Sequence, residues 1–183
     1  MISKWQIEQS SYLVRDEWLQ LRADVCYDGD TRIAPFYVLE YRPWVTIVPV
    51  TADQELVLIR QYRHGSGQVE VELPAGNTEP DEALRDAAAR ELAEETGYQA
   101  STLVELGSVS PNSATHNNLS HLFLATDVVR VADQTLDPTE NIEVFTLPLE
   151  QLPDALASGM FKQAMHISAL YFALTQMGRL QHV

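Results

Sequence analysis

The sequence predicts an α+β fold in which strands of one sheet pack with amphipathic helices, preceded by a smaller antiparallel β region. Three observations carry this. Two apolar, β-branched runs, Trp44–Val50 and Glu55–Arg63, flank the polar break Thr51-Ala52-Asp53-Gln54, as the arms of a hairpin do. Residues 80–96 and 161–177 repeat apolar side chains at helical spacing and are followed by Gly97 and Gly178. The first forty residues alternate only in part and break at Asp28-Gly29-Asp30, the pattern of short strands joined by a turn.

Composition narrows the function classes. The 183 residues are 45% hydrophobic, which excludes a disordered chain and suits a single domain of ordinary size. The net charge is −14, and Lys4 and Lys162 are the only lysines, which argues against a nucleic-acid-binding surface. An anionic ligand would need local help from a metal or from arginine. The single Cys26 excludes an internal disulfide and fits a reducing compartment. With no signal-peptide core in MISKWQIEQS and no 18-residue apolar run, a soluble, cytoplasmic protein without membrane partners is expected.

In chain order, 11–14, 17–25 and 34–39 read as short strands of a subdomain too small to stand alone. After the hairpin, 69–73 forms a strand that delivers Pro74-Ala75-Gly76. This is expected to be a turn, with Gly76 free to take a positive φ and to admit a ligand to the backbone. Pro80 is placed in the first helical turn, and Leu84, Ala88, Ala89 and Leu92 make the stripe that docks the helix. Strands follow at 101–109 and 119–128, separated by a polar loop, then an acidic loop at 136–141 and a strand at 142–147. Two helices close the chain. In the longer one Phe161, Ala164, Met165, Ser168, Ala169, Phe172 and Ala173 form the core face, broadened by Leu170, Tyr171 and Leu174, and His166 reads as structural.

Chemistry concentrates in the first helix. Glu91, Glu94 and Glu95 stand at i, i+3 and i+4, so they project from one side within about one turn. Like charges so placed repel by roughly 0.2–0.5 kcal/mol per pair on an exposed helix, a cost that a bound cation removes. An all-oxygen, multi-carboxylate site suits a hard ion such as Mg2+ or Mn2+. Arg60 and Arg63, at the end of their strand in an acid-rich chain, offer guanidinium contacts to a phosphate or carboxylate.

Gly76, five residues, Glu82, seven residues, then Arg90-Glu91-Leu92-x-Glu94-Glu95-x-Gly97-Tyr98 resembles the box of the Nudix hydrolases, with every specified charged residue and glycine present. Tyr98 stands where an aliphatic residue is usual. The resemblance implies an α/β/α sandwich around a mixed sheet, spanning 43–183, with an N-terminal antiparallel β subdomain at 1–42 that mediates a homodimer. It further implies that the Ala75 carbonyl, Glu91, Glu94 and Glu95 hold Mg2+ or Mn2+, with Arg90 holding the glutamates in position.

The strand end Gln61-Tyr62-Arg63, the LPAG turn and the downstream Pro111 are similar to the ADP-ribose branch of that family. The similarity implies substrate contacts from Arg63, Glu72, Pro111 and Asn112. It also implies a general base in the mobile loop at Glu140, with Glu143 as the fallback and Glu94 as the competitor from the box. Asn112 departs from the branch, which carries glycine there and an acid a few residues on. The expected reaction is cleavage of ADP-ribose to AMP and ribose 5-phosphate. Another nucleotide sugar, such as a GDP- or UDP-hexose, is the alternative, and a non-catalytic nucleotide sensor the second. Glu72 reads equally as a salt-bridge partner, while His116, Asn117 and Asn118 either touch a ribose or shape their loop.

Overall fold

The structure, a computed structural model, describes residues 2–180. The chain divides into two units, residues 2–42 with Ser110–Leu119, and Pro43–Val109 with 120–180. In the first, β1 (Gln6–Arg15), β2 (Gln20–Asp28) and β3 (Thr31–Glu40) form an antiparallel sheet in that order. β2 opens at Gln20 rather than at 17. Asp16 Oδ1 accepts the N–H groups of Trp18 at 2.8 Å and Leu19 at 2.7 Å and holds the approach as a turn. The 110–119 segment fastens to β3, where Leu39 donates to the Thr115 carbonyl at 2.7 Å and accepts from Asn117 at 3.2 Å.

The second unit contains β4 (Trp44–Val50), β5 (Glu55–Arg63), β6 (Gln68–Glu72), β7 (Ala75–Asn77), α1 (Leu84–Thr96), β8 (Tyr98–Gln99) and β9 (Thr102–Val109). It continues with β10 (Ser120–Thr126), β11 (Val129–Arg130), β12 (Ile142–Pro148), α2 (Leu152–Ala157) and α3 (Ala164–Gln176). The main sheet runs β12-β5-β4-β10-β9, with β6 added to β5 and β7 to β4. β4 and β10 pair in parallel and the other pairs are antiparallel, so the sheet is mixed, as expected. β4 is buried on both faces, which its nearly continuous apolar run requires. Val48, Val50, Leu56, Leu58, Leu122 and Leu124 pack with Leu152, Ala169, Leu170 and Ala173 on one face. On the other, Val45, Ile47, Val57, Phe123 and Ala125 meet Ala87, Ala88 and Leu92. This is the α/β/α sandwich. Among the described residues no helix is long and apolar enough to cross a membrane.

Four local expectations are corrected. Ala75–Asn77 is a strand, not a turn, because β4 supplies a partner for each of its residues (Thr46↔Ala75, Val45↔Gly76, Trp44↔Asn77). Pro80 lies outside the helix, since Asp81 takes a φ of 61° and α1 begins only at Leu84. The buried face of α1 is Ala87, Ala88 and Leu92, with Ala89 exposed. α3 begins at Ala164 and buries His166, Ala169, Leu170 and Ala173, while Tyr171 and Phe172 face outward. Phe161 is spent earlier, in a bridge to Val71.

Candidate active site

α1 lies on the sheet through Ala87, Ala88 and Leu92, and that docking sorts its three glutamates by depth. Glu95 is 3% exposed and its Oε2 accepts the Ala75 N–H at 2.9 Å. Burial pushes its carboxyl well above the usual range, against the Ala75 N–H and with the charges of Glu91 and Glu140 adding to the rise. Glu91 is half-buried and also raised, by burial first and by Glu94 and Glu140, while the Arg90 guanidinium opposes. Glu94 is the most exposed of the three.

Arg90 organises the entrance to this helix. Its Nε and Nη2 meet Glu82 at 2.8 and 2.9 Å, and Nη2 also donates to the Asn77 carbonyl at 2.9 Å. Its Nη1 donates to Glu91 Oε1 and Glu94 Oε2, each at 2.9 Å. Glu82 accepts the Glu79 N–H at 2.8 Å as well, so the connection from β7 to α1 is fixed from both ends. The hydrogen bond from Arg90 holds the Glu82 carboxyl below its ordinary range.

Gly76 is required by close approach, not by a positive φ. A Cβ at this position would stand 2.2 Å from the Glu91 carboxyl carbon and from Oε1. The obstacle is the end of a flexible side chain, which can rotate away. Gly76→Ala is therefore expected to leave the melting temperature within a few degrees of wild type while displacing Glu91. The check is a thermal melt beside a divalent-metal titration, in which weakened metal binding is the expected result.

Arg63 reaches across to Glu72, a carboxylate with 0% exposure. Nε lies 2.9 and 3.1 Å from its two oxygens and Nη2 2.5 Å from Oε2, while Gln163 Nε2 donates to Oε1 at 3.1 Å. Glu72 thus engages Nε and Nη2 of the guanidinium and not Nη1. The next residue, Leu73, donates its N–H to His166 Nδ1 at 3.3 Å. His166 is pushed down to about 4, by burial first and against the charge of Glu72.

That depression gives the fold a pH dependence. Between about pH 6.5 and 4 the unfolded chain takes up a proton that folded His166 refuses, so this side chain lowers stability as pH falls through that window. His166→Asn keeps an acceptor and cannot titrate. The unfolding free energy of wild type relative to this variant is expected to drop by about 3 kcal/mol from pH 7 to pH 4 in urea titrations.

Glu140 closes a turn, its Oε2 accepting the Asp137 N–H at 3.0 Å and its own N–H donating to the Asp137 carbonyl at 2.9 Å. Its charge is felt at both Glu91 and Glu95. The structure therefore brings Ala75, Arg90, Glu91, Glu94, Glu95 and Glu140 into one neighbourhood, with Arg63 also felt at Glu95. Glu143 does not join it, being paired with Arg60 at 3.1 Å, and the Arg60 guanidinium lies 3.9 Å from the Phe145 ring centre. Pro111 and Asn112 belong to the first unit. There the Asn112 side chain accepts the Ala114 N–H and its carbonyl accepts those of Thr115 and His116. Asn117 and Asn118 are likewise bonded to Tyr41 and Arg42 backbone, and His116 stacks on Tyr41.

The donor set fits a hard divalent cation in type and charge, and the missing Cβ of Gly76 leaves the Glu91 carboxylate its place. Among the described residues, though, no three His, Cys, Asp or Glu side chains already form a closed cage. Arg90 draws one oxygen each from Glu91 and Glu94, and Ala75 draws one from Glu95. Two residues escaped the sequence reading. Gln163 braces Glu72, and Gln134 donates to the Glu95 and Ile142 carbonyls at 2.6 and 3.1 Å. Neither sits in a motif, and an isolated amide carries no spacing signal.

A NUDIX domain model matches residues 40–166. The chain is 33% identical over 107 residues to the ADP-ribose pyrophosphatase of Bacillus subtilis (strain 168), a match covering 58% of each protein. It is 32% identical over 130 residues to the ADP compounds hydrolase NudE of Escherichia coli (strain K12), covering 71% of this chain and 69% of that one. It therefore spans less than two thirds of the Bacillus protein. A crystal structure of an ADP compounds hydrolase matches the fold with a TM-score of 0.86 at 26% identity, over 98% of this chain and 99% of that one. With a family model matching more than half its length and the carboxylate helix where that family's box predicts it, the chain belongs to the Nudix family.

Proposed function

We propose that this protein hydrolyses the diphosphate bond of a nucleoside diphosphate linked to a second group, with ADP-ribose as first substrate and AMP and ribose 5-phosphate as products. The α1 carboxylate cluster carries the reading, with Glu95 buried on the Ala75 N–H and Glu91 seated where a side chain on Gly76 would be. The names of two relatives, both directed at ADP compounds, support the substrate. A divalent cation, Mg2+ or Mn2+, held by Glu91, Glu94, Glu95 and the Ala75 carbonyl would polarise the diphosphate and lower the pKa of water. Glu140 accepts the proton of the attacking water. Arg63 binds a phosphate oxygen through the edge that Glu72 leaves, and Arg90 keeps Glu91 and Glu94 oriented.

Residues 1–42 serve, in this reading, as a dimerisation subdomain ahead of a hydrolase domain at 43–183, with Pro111 and Asn112 offering further substrate contacts. Support comes from β1, exposed along its length with Ile7, Tyr12, Leu13 and Val14 among its residues, and from an apolar hollow of about 410 Å³ lined by Leu13, Leu21, Tyr37, Leu39 and Thr115. A sedimentation mass of one chain would remove the dimer. The lone Cys26 supports a cytoplasmic setting.

The deciding experiment is phosphate release, coupled through a phosphatase, from ADP-ribose, ADP-, GDP- and UDP-hexoses, NADH and Ap4A, with Mg2+ and with EDTA. A dominant, EDTA-sensitive ADP-ribose signal is expected. A preference for a nucleotide hexose would overturn the substrate and keep the reaction, and nucleotide binding without turnover would make the protein a sensor.

A further inference from the structure

The segment from β11 to β12 crosses the C-terminal end of α1 and satisfies it. Val131 and Ala132 donate to the Gly97 carbonyl at 2.9 and 3.3 Å, and Thr135 donates to the Glu94 carbonyl at 2.9 Å. Gln134 supplies the remaining donor from its side chain, and its Nε2 serves two acceptors at once. One is the Glu95 carbonyl at 2.6 Å, on the helix that bears the carboxylates. The other is the Ile142 carbonyl at 3.1 Å, at the start of β12 and two residues beyond Glu140. A single amide thus joins both feet of the loop carrying Glu140 to the helix carrying Glu91 and Glu95. Within 131–140 only Gln134, Leu136 and Glu140 are even half-buried; backbone bonds from Val131, Ala132 and Thr135 hold the near end to α1, and the Gln134 amide ties that end to the start of β12.

We propose that Gln134 is a positioning residue for Glu140, holding the loop at the depth and register from which that carboxylate reaches the attacking water. The proposal rests on the reading of Glu140 as general base. Removing this donor frees the Ile142 end of the loop from the Gln134 end, while the backbone bonds of Val131, Ala132 and Thr135 to α1 remain. A base displaced by about an ångström loses much of its effect. Arg63, the proposed phosphate contact, stands on β5 outside this loop, so the loss is expected in kcat.

The test uses Gln134→Glu, which preserves size and removes both donated bonds, and Gln134→Leu beside it. Hydrogen exchange read at the Thr135, Asp137 and Glu140 amides is expected to quicken about tenfold or more, with β4 and α3 unchanged. With Mg2+ and ADP-ribose, kcat is expected to fall roughly 10–100-fold, the range for groups that orient a catalytic residue, with KM within about threefold. In a Glu140→Gln background the same substitution should move kcat by less than about twofold. Unchanged exchange at those amides overturns the proposal, as does an equal fall in kcat in both backgrounds. If Glu140→Gln itself leaves kcat intact, the base reading falls and takes the catalytic role of Gln134 with it. Accelerated exchange alone would then mark Gln134 as a structural tie.

Discussion

Glu140→Gln is expected to lower kcat by roughly 10²–10⁴-fold and to leave KM little changed, the cost of removing the proposed general base while keeping its shape. Of the three carboxylates offered for this role, Glu143 is paired with Arg60 and Glu94 accepts from Arg90. Among the described residues Glu140 makes no ion pair; its Oε2 holds only the Asp137 N–H. It is half-buried, and its charge is felt at Glu91 and Glu95, where the diphosphate would be cleaved. Single-turnover rates with ADP-ribose and Mg2+ provide the check, and a rate within about twofold of wild type would pass the role to Glu94.

Arg63→Ala is expected to cost about 3 kcal/mol of stability as well as catalytic efficiency. It strands a fully buried carboxylate, and breaking such a pair from one side is far worse than never having it. The value sits at the low end of the usual range because Gln163 still donates to Glu72. Activity of the single variant therefore mixes two effects, and the double variant Arg63→Ala/Glu72→Gln separates them. Urea unfolding should recover most of the lost stability in the double variant, while kcat/KM stays as low as in the single one. Full recovery of kcat/KM would confine Arg63 to a structural role, and a single variant as stable as wild type would deny the pairing its importance.

Much of the site's layout was legible because it is local. The positions of Glu91, Glu94, Glu95 and Gly97 are set by helical periodicity, and α1 obeys it, ending at Gly97 with a φ of 76°. The illegible parts depend on distant partners. Nothing in Pro74-Ala75-Gly76 announces that β4, thirty residues upstream, would take it as a strand rather than leave it as a turn. The face of α3 was misread for the same reason. Leu73 needs an acceptor for a buried N–H, so His166 turns inward and the aromatic pair Tyr171 and Phe172 turns out. Arg63 and Glu72 are each open to two roles in the sequence, and only the pairing of β5 with β6, Arg63 opposite Gln68 and Glu72 opposite Ile59, puts them on one face where the long guanidinium reaches the carboxylate.

The parallel pairing of β4 with β10 also dictates the order in which the chain can fold. A parallel partner cannot be reached by a hairpin, so this pairing, unlike that of β4 with β5, forms only once everything up to β10, α1 included, is brought round. Such long-range closure is entropically late and makes for slow folding. Glu91 and Glu95 crowd as soon as α1 forms, but Glu95 is buried only when α1 docks on the closed sheet, so a divalent cation that offsets that cost should speed this step of refolding.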